Sequence, residues 1–328
     1  MSELTPASAA RLGTAIVDEV ERAVVGRRDV IETALVCLVG AGHIVIEDVP
    51  GVAKTVLAAS LARASGLSWS RVQFTPDLMP ADVTGSAVFD PVERTFEFRA
   101  GPLFAQLVLG DEINRAPPKT QAAMLEAMAE GQVTVDGVSR PLPRPFLVIA
   151  TQNPIEFEGT YPLPEAQLDR FMVRLRMGYP SDDDERELVR RRLGRRQEIV
   201  EIRAVATPED LVALQRAVED VTVTDAVVDY LVALVAATRR APNVRVGASP
   251  RATLALLRAA RARALLAGRD WVAADDVKSL AVPVLAHRLM LDAELWVRGS
   301  DGSEVVQACL DSVAVPSAAA ELARADGP

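Results

Sequence analysis

Glu47-Asp48-Val49-Pro50-Gly51-Val52-Ala53-Lys54-Thr55 is the stretch from which the rest of the chain reads. Before it runs His43-Ile44-Val45-Ile46, an apolar segment that reads as a buried strand. After it runs Val56-Leu57-Ala58-Ala59-Ser60-Leu61-Ala62-Arg63, which reads as a helix. Strand, small-residue turn, Lys-Thr and helix is the layout of a phosphate-binding loop. The turn lets backbone N–H groups face phosphate oxygens, and the helix N-terminus adds donors and partial positive charge. In that reading Lys54 reaches the β- and γ-phosphates and the Thr55 hydroxyl ligates Mg2+. The pattern G-x-x-x-x-G-K-[ST] would put glycine where this chain has Asp48 and Ala53, so only Gly51, Lys54 and Thr55 fit it. A Cβ at residue 53 would crowd the phosphates or oppose a strained backbone angle. Taken alone, the stretch also fits an ordinary strand-to-helix turn with an exposed lysine.

Downstream, Leu107-Val108-Leu109-Gly110-Asp111-Glu112 is an apolar strand ending in two carboxylates. An acid at that end can hold Mg2+ through its water shell (Asp111), and its neighbour can polarise an attacking water (Glu112). Two half-motifs in this order, each at a strand end, are far more specific than either alone. Phe146-Leu147-Val148-Ile149-Ala150-Thr151 reads as a further strand and ends in Gln152-Asn153-Pro154. Asn153 could touch a γ-phosphate or the water, or simply open a turn before proline. Phe171 to Arg176 alternates as another strand, with Arg170 just before it.

Around these lie two helices, the first from about Ala9 to Val24, the second carrying Val30, Ile31, Ala34, Leu35 and Leu38, with Val25-Gly26-Arg27 as the break. Residues 1–8 read as frayed. Trp69 to Phe74 reads as a strand. Residues 83–89 and 95–99 read as a hairpin, and Val133 to Val138, with Asp136-Gly137, as a second. Past Pro180 the pattern is helical, with caps at Thr207, Thr224 and Ser249, a helix over 273–290 and a loose Ala-rich end at 317–328. Arg186, Arg190, Arg191, Arg192, Arg195 and Arg196 lie among Glu and Asp on a short helix and read as a solvated, ion-paired face, with an acidic partner or nucleic acid as the lesser reading.

Composition narrows the class. At 328 residues, roughly 150 per domain gives about two domains. The boundary is expected at 180/181: an α/β unit over 1–180 and a helical one over 181–328. With 4 % aromatic residues in a chain 49 % hydrophobic, the cores must be aliphatic. A net charge of −9 opposes a dedicated nucleic-acid surface. Cys37 and Cys309 read as separate buried thiols, and His43 and His287 as structural. No basic-then-apolar leader opens the sequence, and no apolar run reaches the roughly 18 residues of a membrane span, so a cytoplasmic protein without membrane contact is expected.

The chain resembles the MoxR-type AAA+ ATPases from Val25-Gly26-Arg27 to about Leu291. The resemblance is carried by Glu47 to Gly51, Gly110 to Ala116, Ala150 to Pro154, Leu163 to Phe171 and Gly247 to Arg251. The two hairpins resemble the inserts of the helix-2-insert clade. The resemblance implies an α/β fold: a P-loop core with a five-stranded parallel sheet and two β-hairpin inserts, followed by an all-α lid. It implies ATP held by Pro50, Gly51, Val52, Ala53, Lys54, Thr55 and Val56, adenine against Val25 and Gly26, and Mg2+ at Thr55 and Asp111. Glu112 resembles the catalytic acid, Asn153 sensor 1 and Arg251 sensor 2, reaching from the lid to the phosphates. Arg170 resembles the arginine finger that enters a neighbouring subunit's site. A hexameric homo-oligomeric ring is implied. So are a protein client moved by the first hairpin and a von Willebrand factor A-domain partner encoded separately, with complex maturation or metal-cofactor insertion as the task. Two alternatives stay open: a DNA-dependent motor or loader, and a nucleotide-binding scaffold without turnover.

Overall fold

A computed structural model describes residues 4–153, 160–197, 200–292 and 302–317. Pro154 and all but the first residue of the Ala-rich end lie outside the described residues. The elements run α1 (Pro6–Glu21), α2 (Arg28–Val39), β1 (Ile44–Glu47), α3 (Lys54–Ala64), β2 (Trp69–Gln73), α4 (Pro80–Thr84), β3 (Gly85–Asp90) and β4 (Thr95–Ala100). Then follow β5 (Leu107–Asp111), α5 (Pro118–Glu130), β6 (Gln132–Val135), β7 (Val138–Pro141), β8 (Leu147–Gln152), α6 (Glu165–Leu168), β9 (Val173–Leu175) and α7 (Asp182–Arg195). The last are α8 (Pro208–Ala217), α9 (Asp225–Thr238), β10 (Val244–Val246), α10 (Pro250–Leu266), α11 (Ala274–Leu285), β11 (Met290–Leu291) and α12 (Ser303–Ser312).

The five expected strands form one parallel sheet in the order β2-β5-β8-β1-β9. Its central strands are buried on both faces, as a parallel sheet covered by helices requires. Alternate side chains enter separate cores. Ile44, Ile46, Leu107, Leu109, Leu147 and Ile149 join α1–α3. Val45, Val108, Val148 and Ala150 join Met124, Leu125 and Phe171 on the other face. The first of these cores continues into the helices beyond residue 180 through Leu211, Leu231, Leu256 and Leu280. Because every strand is parallel, all C-terminal ends lie at one edge of the sheet and all N-terminal ends at the other.

Both hairpins form, β3 with β4 and β6 with β7. In the second, Asp136 and Gly137 both take positive φ (52° and 75°), the two-residue turn that matches strand twist. In the first, Val83 and Thr84 belong to the short helix α4, so the strand starts at Gly85 rather than at 83. Residues 1–8 are not wholly frayed: Thr5 caps α1, with Pro6 in its first turn. The helix expected over 273–290 stops at Leu285 and passes through a 3-10 turn at Ala286–Arg288 into β11, which pairs with β10. The helical part therefore carries a two-stranded ribbon. On α7 the arginines pair with acids of their own helix, as in Arg186–Asp183 at 2.6 Å and Arg191–Glu187 at 2.8 Å. Both cysteines are free and buried. Among the described residues no helix is long and apolar enough to cross a membrane.

Candidate nucleotide site

The loop leaves β1 at the C-terminal edge of the sheet. Asp48, which replaces the first glycine of the general pattern, holds the loop together. Its Oδ1 accepts the Val49 N–H (2.8 Å), and its Oδ2 accepts the Gly178 N–H beyond β9 (2.6 Å). Lys54 Nζ donates to the Asp48 carbonyl at 2.7 Å, so the lysine tip lies back over the loop. Gly51 takes φ +87° with open space where a Cβ would stand. Ala53 takes φ 63°, ψ 22°, the left-handed region, and delivers the chain into α3. An L-residue pays roughly 1 kcal/mol for that angle, and the anticipated strain is therefore real. Val52 is buried beneath the loop, Pro50 and Val56 are exposed, and Thr55 sits half-buried in the first turn of α3. Partial burial pulls the Lys54 pKa down, against the attraction of Asp48, Asp111 and Glu112.

At the same edge, Asp111 and Glu112 close a hydrogen-bonded ring with side chains of β2 and β8. Arg71 donates to Asp111 Oδ2 from Nη2 (2.7 Å) and Nε (3.1 Å), and to Gln73 Oε1 (3.0 Å). Gln73 Nε2 donates to Glu112 Oε2 (2.8 Å). The Glu112 N–H donates to Thr151 Oγ1 (2.8 Å), and that hydroxyl donates to Asp111 Oδ1 (2.6 Å). Arg115 adds a contact to Glu112 Oε2 at 3.1 Å. Glu112 is itself left-handed, with φ 56° and ψ 49°. Asn153 is buried at the end of β8, and its carbonyl accepts from Asn114 Nδ2 at 3.5 Å. Beside it, the buried atoms Gln152 Nε2 and Asn114 Oδ1 have no partner among the described residues.

Val25 and Gly26 lie near this edge as well. The Arg27 guanidinium donates to the Tyr179 carbonyl, and a Cβ on Gly26 would collide with the Asp184 carboxylate. Gly178, bound to Asp48, thus ties the 25–27 stretch to the loop. The groups present suit a nucleoside triphosphate and a hard cation: open backbone at Gly51, a lysine, a threonine hydroxyl in a helix first turn and a buried carboxylate. Among the described residues no cluster of three or more His, Cys, Asp or Glu could hold a metal alone.

Arg170 and Arg251 lie elsewhere. Both line a cavity of about 360 Å3 with Arg258, Arg288, Asp169 and His43. His43 precedes β1 and Arg170 precedes β9, so this cavity sits at the N-terminal edge of the sheet. The four residues of β1 alone span roughly 13 Å. Arg251 therefore does not reach the phosphate loop of its own chain, contrary to the simplest form of the sensor expectation. Arg170 Nη1 donates to the Leu125 carbonyl at 2.5 Å. Burial pushes Arg288 down to about 10 despite the pull of Asp169, and the neighbouring charge of Arg251 adds to the depression.

Sequence reading missed Arg71, Gln73, Thr151 and Arg288. Arg71 and Gln73 are alternate residues of one strand and so share a face, but only sheet order shows that this strand lies beside the acids.

Residues 43–173 match the family described as "ATPase family associated with various cellular activities (AAA)", and residues 236–308 match an AAA lid domain. The chain is 43 % identical over 307 residues to Chaperone MoxR1 of Mycobacterium tuberculosis, covering 91 % of this chain and 81 % of that protein. It is 47 % identical over 306 residues to the uncharacterized protein YeaC of Bacillus subtilis (93 % and 95 % covered). It is 31 % identical over 324 residues to the protein MoxR of Methylorubrum extorquens (91 % and 93 % covered). A crystal structure of a candidate ATPase from Cytophaga hutchinsonii superposes with a TM-score of 0.87 at 36 % identity, covering 95 % of this chain and 97 % of that one. With the sheet order, the loop and the acid pair, these similarities establish that the chain belongs to the MoxR-type AAA+ ATPases.

Proposed function

We propose that the protein hydrolyses ATP with Mg2+ in a closed homo-oligomeric ring, a hexamer, and uses the turnover to remodel a protein client. The observation that carries this reading is the division of the charged groups between two edges of one sheet. Loop and acids occupy one edge, Arg170 and Arg251 the other, so a head-to-tail contact brings the arginines of one subunit to the nucleotide of the next. Such heterologous contacts form a ring when the rotation between subunits closes.

In this reading Pro50 to Val56 hold the phosphates and Val25 and Gly26 the base. Thr55 and Asp111 hold Mg2+, which neutralises charge on the phosphates. Glu112 takes a proton from the attacking water, and Asn153 positions it against the γ-phosphate. Arg170 and Arg251 stabilise the charge that develops there, a contribution of roughly 1,000- to 100,000-fold in rate for an arginine finger. Residues 1–180 act as the nucleotide unit and 181–328 as the lid. The hairpin of β3 and β4 contacts the client: Val92 and Phe96 at its end are 84 % and 73 % exposed, and Phe96 packs on Phe89 at 5.3 Å. A separate von Willebrand factor A-domain protein delivers the client for complex maturation or metal-cofactor insertion. Ala53 already adopts the angle the loop needs, which weakens the case for a scaffold without turnover. The net charge of −9 speaks against a DNA motor.

The test is Mg2+-dependent ATP turnover across a protein-concentration series. Specific activity should rise steeply with concentration. Glu112→Gln should abolish turnover while retaining ATP, and Arg170→Ala should abolish it without unfolding the subunit. Full activity of Arg170→Ala in an assembled ring would refute the role given to that residue.

A further inference from the structure

Arg170 lies in a turn between α6 and β9, with no regular element of its own to hold it. The residues on either side of it are held from the C-terminal helical part. Arg288 Nη1 lies 3.1 Å from Asp169 Oδ1, an ion pair without hydrogen-bond geometry, and Arg288 Nη2 donates to the Phe171 carbonyl at 2.6 Å. His287 Nε2 lies 3.2 Å from the same carbonyl. On the opposite side, the Met172 N–H donates to the His43 carbonyl at 2.8 Å, fixing the segment to β1. The Arg288 side chain is only 3 % exposed, so its guanidinium contributes little as a surface charge. Withdrawing a guanidinium from water is costly, and an apolar residue would serve packing at least as well.

The geometry assigns Arg288 as the positioning residue for Arg170: one guanidinium hydrogen-bonds the residue after it and sets its charge beside the carboxylate of the residue before it, and so couples the turn that follows α11 to the placement of Arg170. This rests on Arg170 acting on a neighbouring subunit's nucleotide, as proposed above. Arg288 lines the same cavity as Arg170 but its side chain is only 3 % exposed, and it acts through the segment it holds. The choice of arginine follows from the two partners, which belong to different residues. A guanidinium can donate to the Phe171 carbonyl through one nitrogen while another keeps charge beside Asp169, whereas an ammonium is a single point charge. When a neighbour draws the Arg170 side chain off the Leu125 carbonyl, the backbone stays fixed and only the side chain swings. A shift of α11 or its following turn would carry Arg170 with it.

The test uses full-length rings and mixed rings. Arg288→Lys keeps the charge and loses the guanidinium. It should lower kcat by between about tenfold and about a hundredfold, the cost of misplacing a catalytic group by an ångström or so. KM for ATP should stay within about twofold, because ground-state binding is untouched. Asp169→Asn removes the other half of the grip and should act in the same direction, which keeps the proposal testable if Arg288→Lys does not assemble. Mixing Arg288→Lys with Lys54→Ala, whose loop is disabled and whose Arg170 is intact, should give more activity than the sum of the two alone. Arg170→Ala mixed with Lys54→Ala is the parallel arm. Failure of that parallel mixture would overturn the action of Arg170 across subunits. Success there, with wild-type kcat in Arg288→Lys, a loss confined to KM, or no recovery on mixing, would overturn the role of Arg288 alone.

Discussion

Ala53 and Glu112 are both left-handed and both lie at the C-terminal edge of the sheet. Other non-glycine residues with positive φ, such as Arg94 and Asp136, fall in hairpin turns where that angle is routine. Strain at Ala53 and Glu112 is instead held by the surroundings, the loop by Asp48 and the acid by Thr151 and Gln73. Replacing Ala53 with glycine removes the Cβ that opposes the angle. Ala53→Gly should raise stability by roughly 1 kcal/mol, measured as a higher urea midpoint at unchanged m-value. Ala53→Val, β-branched at the same angle, should lower it. The importance of this position was legible in the sequence, because the phosphate-loop pattern requires glycine there. The stabilising partner of the loop, Gly178, was not, since nothing in the order of residues places it beside Asp48.

Among the elements, β2 carries the least expected role. Its last turn of the pleat sends Arg71 and Gln73 to the two acids of β5. Arg71 occupies an oxygen of Asp111 that a hydrated Mg2+ would also use. The Arg71 side chain is about half exposed, so its ion pair contributes at most about 1 kcal/mol, equivalent to a factor of about five. Arg71→Ala should therefore lower the Mg2+ concentration for half-maximal nucleotide binding by up to about fivefold, read by fluorescent-nucleotide titration at several Mg2+ levels. An unchanged midpoint would mean that the arginine does not compete with the cation. Helix caps show a similar gap between pattern and contact. Thr207 accepts the Asp210 N–H as expected, whereas Thr224 and Ser249 occupy cap positions without a side-chain bond to the helix. Sequence identifies where a helix starts because proline and polar residues exclude the alternatives. It does not fix a hydroxyl's rotamer, which neighbours from distant segments decide.

Across the whole molecule, two histidines, His287 buried and His43 half-buried, join separate parts of the fold. His43 accepts the Val148 N–H at Nδ1 and faces the Met128 carbonyl through Nε2, linking β8 to α5. Burial pushes it down to about 4. His287 joins the helical part to the Arg170 segment, and burial with the charges of Arg288 and Arg174 holds it well below its ordinary value. Both are neutral in the fold, while in the unfolded chain they titrate near 6.5. Below that pH the unfolded state binds more protons, so stability is complete above about 6.5 and falls as the pH drops toward 4. Each histidine should contribute up to about 1.4 kcal/mol per pH unit in that window, measured by urea denaturation at pH 7.5, 6 and 5. At this scale too, Arg170 and Arg251 stand at the edge of the sheet opposite the acids.

What the sequence by itself determined is the order of the parts. Periodicity and strand-end chemistry set the five strands, the strand-turn-helix around Lys54, the acid pair, both hairpins and the helical C-terminal part, because these depend on residues adjacent along the chain, and the family resemblance added that the strands run parallel. The tertiary structure alone decided which edge each arginine occupies, that Arg71 and Gln73 reach the acids, and that Arg288 grips the Arg170 segment. Those facts depend on strand order and on contacts between distant residues, 40 positions apart in Arg71 and Asp111 and 117 apart in Arg288 and Phe171. Local propensity carries no record of such pairings. They arise only when the two faces of the sheet are covered and buried polar groups must find their partners.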